Sequence, residues 1–340
     1  MTNKIALIAV VGMIMSANAY GFAYSSGPWD LRLTGHGTAG FIEPDFENPD
    51  FLGDWYVRAQ AAYSVSAGNT IGAVYSIDAM AVDDRDWMHD AFLYYQARRI
   101  GRIEVGITDS VARKLSVGLP DVGGMRINDR PLFYKKIHPQ YGVIGDTSVT
   151  SGRRALRINA VSNSTGGAQY GVSLAGLTDD YDVALDVGMK IRRPSGKVKT
   201  AISLGASLIE NPENYSTDTY IAPLTADWRA QTAIGFNLQY NSWVWGLDAR
   251  AIYDRNPIGS VSSDGISLGS GVSYDFLKYS LSVSYVLSET GLWDGDIKNR
   301  DIHTGLASFR YKYSEYTNLW ISLGITSDTP FVACAMRVSF

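Results

Sequence analysis

The feature that most restricts the fold is a strict two-residue alternation of apolar and polar side chains, repeated along the chain in segments of about ten residues. The segment 181–192 shows it most clearly, because its residues separate completely into two sets. One set is Tyr181, Val183, Leu185, Val187, Met189 and Ile191, and the other is Asp182, Ala184, Asp186, Gly188, Lys190 and Arg192. A helix would mix the two sets, whereas a strand places each set on its own face.

The same alternation recurs in fifteen further segments, so the predicted number of strands is sixteen. These segments are residues 30–41, 54–65, 69–79, 89–98, 101–107, 153–161, 168–177, 197–208, 228–241, 242–254, 265–275, 276–288, 302–313, 316–326 and 330–340. Strands of this kind, in an even number, are typical of barrels in the bacterial outer membrane.

The connections between these segments are alternately short and long, as in an outer-membrane barrel with tight periplasmic turns and longer outer loops. Short connections lie near residues 66–69, 98–101, 163–167, 193–196, 240–242, 275–277 and 314–316. Long ones cover residues 42–53, 79–88, 108–152, 209–227, 255–264 and 289–301, and two outer connections, near 178–180 and 327–329, are short exceptions. The third outer connection, 108–152, is the longest, and unpaired stretches of this length are usually functional.

Composition favours a membrane barrel over a soluble β-sandwich. The chain has 21 Tyr, 8 Trp and 34 Gly, yet its mean hydropathy is only -0.06. In a barrel, nearly every strand has an apolar face toward lipid and a polar face toward water. The two faces together give a mean hydropathy close to zero. Aromatic residues also gather near the short connections, as an interfacial girdle requires: Tyr63, Tyr240, Trp243, Tyr274, Tyr279, Tyr311 and Tyr313. The sequence thus predicts an all-β, transmembrane antiparallel barrel.

The face assignment within 181–192 predicts opposite responses to substitution. Leu185 and its set are expected to face lipid or a neighbouring subunit, so a charge there is expected to destabilise the barrel. Asp186 is expected to face the lumen, where replacement by Asn is expected to be tolerated.

The N-terminal residues predict export. Lys4 precedes an apolar run, residues 5–15, and Ala17-Asn18-Ala19 supplies a cleavage site of the A-x-A type. We therefore expect a signal peptide over 1–19 and a barrel domain over 20–340, with both ends of the barrel chain in the periplasm. The single cysteine, Cys334, can form no internal disulfide.

Several function classes are disfavoured by the residues themselves. The formal net charge is -4 and basic residues are scattered, so nucleic acid is not an expected partner. His36, His89, His138 and His303 are widely separated, and no nucleophile or metal motif occurs. We expect no enzyme and no cofactor. The acidic outer segments 43–50 and 83–86 are expected to be solvated, with a divalent cation as the open alternative.

The strand 331–340 alternates up to Phe340, and it resembles the C-terminal strand of outer-membrane barrels. In those proteins the terminal aromatic residue is part of the signal that the barrel-assembly machinery reads. The resemblance implies that machinery as a partner through Phe340.

Within the third outer connection, residues 119–124 read Leu-Pro-Asp-Val-Gly-Gly. This run resembles the Pro-Glu-Phe-Gly-Gly region of the third loop of the Gram-negative general diffusion porins, with Asp121 in place of Glu and Val122 in place of Phe. Residues 154–159 are similar to the strand that follows this loop in the family. The resemblance extends over the mature chain in strand count and loop order.

The resemblance implies a homotrimer in the outer membrane, in contact with its lipid and lipopolysaccharide. Each barrel is then expected to hold a water-filled channel, narrowed by the third loop, for passive diffusion of ions and small hydrophilic solutes. The alternative is a substrate-specific channel, or a barrel acting as surface receptor or adhesin. A sugar-selective channel would line its path with aromatics, and only Phe92 and Tyr94 are predicted to face inward.

The resemblance also implies where the pore is narrowest. If residues 108–152 fold into the lumen, Asp121 and Asp129 are expected to lie opposite the inward-facing Arg58 and Arg157. Opposed charges across a narrow throat would orient polar solutes. Pro120 and Gly123-Gly124 permit the sharp turn that would place Asp121 at the tip of the loop. Ion selectivity is left open.

Overall fold

The computed structural model describes residues 21–44, 50–80, 87–120, 122, 155–176, 183–210, 226–257, 265–290, 300–326 and 329–340. The expected signal peptide over 1–19 and the expected constriction residues Asp121 and Asp129 lie outside the described residues.

The described residues form seventeen strands in a single antiparallel sheet. The strands are β1 (Phe22–Ser26), β2 (Trp29–Pro44), β3 (Asp50–Ser66), β4 (Asn69–Met80), β5 (Trp87–Ala97), β6 (Gly101–Thr108), β7 (Ala155–Ser162), β8 (Ala168–Ala175), β9 (Ala184–Ser195), β10 (Val198–Glu210), β11 (Ala226–Tyr240), β12 (Trp243–Pro257), β13 (Gly265–Phe276), β14 (Tyr279–Thr290), β15 (Arg300–Lys312), β16 (Thr317–Thr326) and β17 (Thr329–Ser339).

Strands β2 to β17 form a closed barrel, which confirms the predicted sixteen strands. Each strand pairs with the next, and β17 pairs with β2 from Phe331↔Pro44 to Ser339↔His36. Pairing every strand on both sides satisfies the backbone hydrogen-bonding groups without leaving an open edge, as a membrane-spanning sheet requires.

One strand was not predicted. The short β1 pairs with β2 from Phe22↔Leu33 to Ser26↔Trp29, on the part of β2 that β17 does not reach. β1 and β17 therefore pair with successive parts of the same edge of β2, and β1 does not add a strand to the barrel. The five residues of β1 are too few to show a period, so the sequence gives no clear strand signal there.

The two faces of the wall separate as predicted. In β9, Leu185 and Val187 are 43% and 46% exposed, whereas Asp186 between them is fully buried. In β14, Leu281 and Val283 alternate in the same way with buried serines. The apolar set of each strand therefore faces outward, where lipid would contact it.

The connections also follow the predicted alternation. Short turns join the strands at one end of the barrel, and two of them, at Asn241 and Leu277, have a positive φ of 52° and 54°. Aromatic rings form contacting pairs just inside this end. The pairs are Trp29–Tyr63, Trp243–Tyr274 and Tyr279–Tyr311, with centroids 4.9, 4.5 and 5.3 Å apart. Their positions fit the interfacial girdle expected from the sequence.

The helical turn α1 (Val111–Leu115) lies shortly after β6. Ser110 caps its N-terminus, because the Ser110 side chain accepts a hydrogen bond from the Arg113 backbone N–H. Among the described residues, no helix is long and apolar enough to cross a membrane.

Candidate functional site

The inner surface of the barrel wall is lined by small and polar side chains. Hydroxyl groups dominate on β13 to β16, where the inward positions include Ser273, Ser280, Ser282, Ser284, Ser308 and Ser322. Two of these side chains bond to each other across neighbouring strands, with 2.8 Å between Ser308 Oγ and Ser322 Oγ. A surface of this kind can be wetted without offering a strong site for any single ligand.

The first part of the third long connection lies against this inner surface. Its backbone N–H groups donate to serine side chains that point inward from three different strands. The bonds join Val111 to Ser173 Oγ (3.2 Å), Val117 to Ser203 Oγ (2.9 Å) and Val122 to Ser282 Oγ (3.2 Å). In return, the Lys190 side chain donates to the Ser116 carbonyl at 2.9 Å. The chain therefore runs along the wall from β8 toward β14.

Glycines on the wall allow this close approach. A Cβ on Gly235 would lie 1.9 Å from the Val117 carbonyl oxygen, and one on Gly171 would lie 2.3 Å from Val111 Cγ1. Real Cβ atoms do not come so close to another heavy atom. These inward positions must lack a side chain for the segment to sit where it does.

A buried ion pair and its hydrogen bonds tie four neighbouring strands, β7 to β10, together behind α1. Arg157 on β7 and Asp186 on β9 are both completely buried, with 2.6 Å between Arg157 Nη1 and Asp186 Oδ2. The Asp186 carboxylate also accepts hydrogen bonds from Ser207 at 2.6 Å and from Ser173 at 3.1 Å. Because Ser173 in turn accepts from the Val111 N–H, this network links the wall directly to α1.

A second charged network fixes the other side of α1. The Glu104 carboxylate pairs with the Lys114 amine and with Arg102 Nε at 2.8 Å, and it accepts from Asn159 Nδ2 at 3.0 Å. The Lys114 amine also donates to Thr108 Oγ1 at 2.8 Å. Burial lowers the pKa of the Lys114 amine, and the Glu104 carboxylate opposes that shift.

The two aromatic side chains predicted to face inward do so, and cations cover both. Phe92 and Tyr94 are 8% and 6% exposed. The Arg102 guanidinium lies 3.9 Å from the centre of the Tyr94 ring, and Lys114 Nζ lies 5.0 Å from that of Phe92. These ring faces are therefore engaged in cation–π contacts and do not form an open aromatic track.

The described residues include two of the four expected constriction residues, Arg58 and Arg157. Arg58 on β3 points inward, since the exposed Val57 alternates with it, and it is half-buried. In a wall of sixteen strands, β3 lies opposite β11, which carries Gly235 under the third connection. Arg157 also occupies an inward position, but it is buried in the pair with Asp186. Sequence reasoning missed that pair and the Glu104 network.

The described ranges offer no metal centre, because they contain no group of three or more His, Cys, Asp or Glu residues that could hold an ion. The inward His36 stacks on Tyr56 with 5.5 Å between ring centres.

The closed barrel with a polar inner wall and an apolar outer belt defines the class of outer-membrane channel barrels. A family model for Gram-negative porins matches residues 30–328. The chain belongs to this family, and it is a multi-pass protein of the outer membrane. No curated protein sequence matches it.

Solved structures with the same fold are distant in sequence. The in-vitro folded trimer form of OmpT from Vibrio cholerae has a TM-score of 0.69 at 9% identity, covering 92% of this chain and 100% of that chain. OmpF of Salmonella typhi, in complex with daunomycin, has a TM-score of 0.67 at 12% identity, with coverage of 94% and 100%. The outer membrane channel DcaP of Acinetobacter baumannii has a TM-score of 0.62 at 13% identity, with coverage of 94% and 99%. At these identities the likeness establishes the fold alone.

Proposed function

We propose that this porin is a general diffusion channel, through which ions and small hydrophilic solutes cross the outer membrane without catalysis or cofactor. The observation that carries the proposal is the inner wall, where serine hydroxyls and scattered charges replace the apolar side chains of the outer belt. Water can wet such a wall, so solutes can cross the membrane without entering the hydrocarbon layer. Membership of the Gram-negative porin family supports the same function.

The assembly is proposed to be a homotrimer with one pore in each barrel. The V. cholerae OmpT structure, described as a trimer form, supports this assembly. The outer belt would contact the lipid and lipopolysaccharide of the outer membrane, and Phe340 would be read by the barrel-assembly machinery.

The third long connection, residues 108–152, is proposed to fold into the lumen and narrow it. The wall contacts of Val111, Val117 and Val122 support this arrangement. Arg58 would present its charge to the throat from the opposite wall, facing Asp121 and Asp129 on the loop. Because Arg157 is buried and paired with Asp186, we assign it the role of holding the wall and not of contacting solutes.

A substrate-specific channel is the second candidate, and the contacts of the inward aromatics do not favour it. Phe92 and Tyr94 would have to stack on a sugar, but Arg102 and Lys114 already cover their faces. Displacing two cations that also pair with Glu104 would break a buried network.

Planar bilayer recording tests the function and the assembly together. Each insertion of one trimer is expected to raise the conductance by a fixed amount. The inserted trimer is expected to close in three equal steps, one for each pore. Liposomes carrying the protein should swell in neutral sugars at rates that fall smoothly with solute size. Insertion without conductance would contradict the channel, single closing steps would contradict the trimer, and saturation by one sugar would favour a specific channel.

The proposed throat predicts opposite effects of two substitutions. Arg58→Ser removes a positive charge and Asp121→Ala a negative one, so both should change single-channel conductance and shift the reversal potential in opposite directions. Recordings in a salt gradient measure both quantities. Ala59→Ser, at the neighbouring outward position, should leave both unchanged. If neither charge substitution alters either quantity, the constriction lies elsewhere.

A further inference from the structure

Basic residues concentrate at the end of the barrel that carries the short turns. The segments around these turns are residues 26–32, 64–70, 96–102, 161–170, 190–200, 239–245, 274–280 and 310–318. They hold twelve Lys or Arg against three Asp or Glu, in a chain with 30 basic and 34 acidic residues. In an outer-membrane barrel the short turns face the periplasm, so the periplasmic end is positive while the rest of the chain is acidic.

Part of this positive charge is neutralised locally. Asp30 pairs with Arg32 at 2.7 Å, and Asp275 pairs with Arg310 at 3.4 Å. Arg102 is likewise paired with Glu104. Of the nine basic residues that remain, five lie on β9, β10 and the turn between them.

Three of these residues point into the lumen: Lys190, Arg192 and Lys199, which we call the periplasmic basic cluster. Lys190 bonds to the Ser116 carbonyl of the third connection, which fixes its inward direction. Arg192 is two residues further along β9, so alternation places it on the same face. Lys199 lies four residues before the inward Ser203 on β10, and it is inward for the same reason. Both Arg192 and Lys199 are exposed.

No acidic side chain faces this cluster from the neighbouring strands within the described wall. The cross-strand partners are Gln169 for Lys190, Ala201 for Arg192, and Pro194 and Gln239 for Lys199. The next carboxylate on the inner face of β9, Asp186, is already paired with Arg157. The cluster therefore keeps its positive charge, and its amide neighbours can donate hydrogen bonds to an anion.

We infer that the periplasmic basic cluster concentrates small anions, such as chloride, phosphate and carboxylates, at the periplasmic mouth and makes the pore favour anions there. This inference rests on the proposed channel function. An ion that passes the third connection on the β9 side must next pass Arg192 and Lys199, which lie between that segment and the turn at 196–197. Charges that line a cavity with low-dielectric walls raise the local concentration of counter-ions. Lipid headgroups cannot be the target, because the cluster faces the lumen.

The test is single-channel recording in a gradient of KCl near 0.1 M, with Arg192→Gln and Lys199→Gln combined. The permeability ratio of chloride to potassium is expected to fall by about twofold or more, since local counter-ion concentration follows the charge. In about 1 M KCl the difference should vanish, because the screening length shrinks to roughly 3 Å. Potassium phosphate added on the periplasmic side should lower the parent current more than phosphate added on the other side.

Arg193→Gln is the matched control, because Arg193 is adjacent in sequence but faces outward. It should leave the permeability ratio unchanged. Lys199→Gln alone, at an exposed position, provides a second variant if the double variant does not assemble, and it should produce part of the shift. An unchanged ratio in conducting variants, or an equal shift in Arg193→Gln, would overturn the inference. A parent protein that inserts without conducting would instead contradict the proposed function.

Discussion

Asp186→Asn is expected to destabilise the barrel by about 3–5 kcal/mol, the range found when one partner of a buried ion pair is removed. The Asp186 carboxylate is fully buried and accepts from Arg157, Ser173 and Ser207. Loss of its charge leaves the Arg157 guanidinium buried and uncompensated. The face assignment alone predicts that this substitution is tolerated, and the buried ion pair contradicts that prediction.

Urea unfolding in lipid vesicles, followed by tryptophan fluorescence, measures the effect. The double variant Arg157→Gln with Asp186→Asn removes both charges and keeps groups that hydrogen-bond, so it should recover most of the loss. Asp186→Asn alone should also weaken the attachment of α1 to the wall. The reason is that Ser173 hydrogen-bonds both to Asp186 and to the Val111 N–H. A single variant as stable as the parent would show that the pair is not essential to the wall.

Val187→Arg is expected to lower the free energy of unfolding by about 2–4 kcal/mol, the range for an arginine near the bilayer midplane. Val187, the fourth of the twelve residues of β9, is 46% exposed on the outward face, and its cross-strand neighbour Val172 is also outward. A guanidinium there would lose its hydration to the hydrocarbon layer.

The same unfolding measurement provides a depth control on the same strand. Ile191 lies four residues nearer the turn than Val187. For Ile191→Arg, the loss in the free energy of unfolding should be only about 0–1 kcal/mol, as for an arginine near the interface. Val187→Ile, which keeps an apolar side chain, should be close to the parent. Equal effects at the two arginine positions would contradict the assignment of this face to lipid.

The strands and their faces were predictable because both depend on a period of two that runs through the whole sequence. Leu185, Val187 and Asp186 fall on the predicted sides, and so do Phe92 and Tyr94. Each of these positions follows from alternation within one strand, and no knowledge of the partner strand is needed.

The network around the third connection was not predictable in this way. Pairing Arg157 with Asp186 depends on the register of β7, β8 and β9, which a single strand does not reveal. The five residues of α1 are too short for a helical period, and wall contacts hold them in place. In the sequence, Gly171 and Gly235 are only small residues within alternating strands. The close approach of Val111 and Val117 explains why these positions have no side chain.

The pairing of β17 with β2 also sets the order in which the molecule can form. Every other barrel pairing joins strands that are consecutive in the chain, and all of these except β6 with β7 are close enough in sequence to assemble locally. The closing pair joins residues nearly 300 positions apart, for example Arg337 with Thr38. Until it forms, the sheet is an open ribbon whose two bare edges invite pairing with other chains. The short β1 covers only the first part of β2, so closure by β17 is the step that ends this exposure.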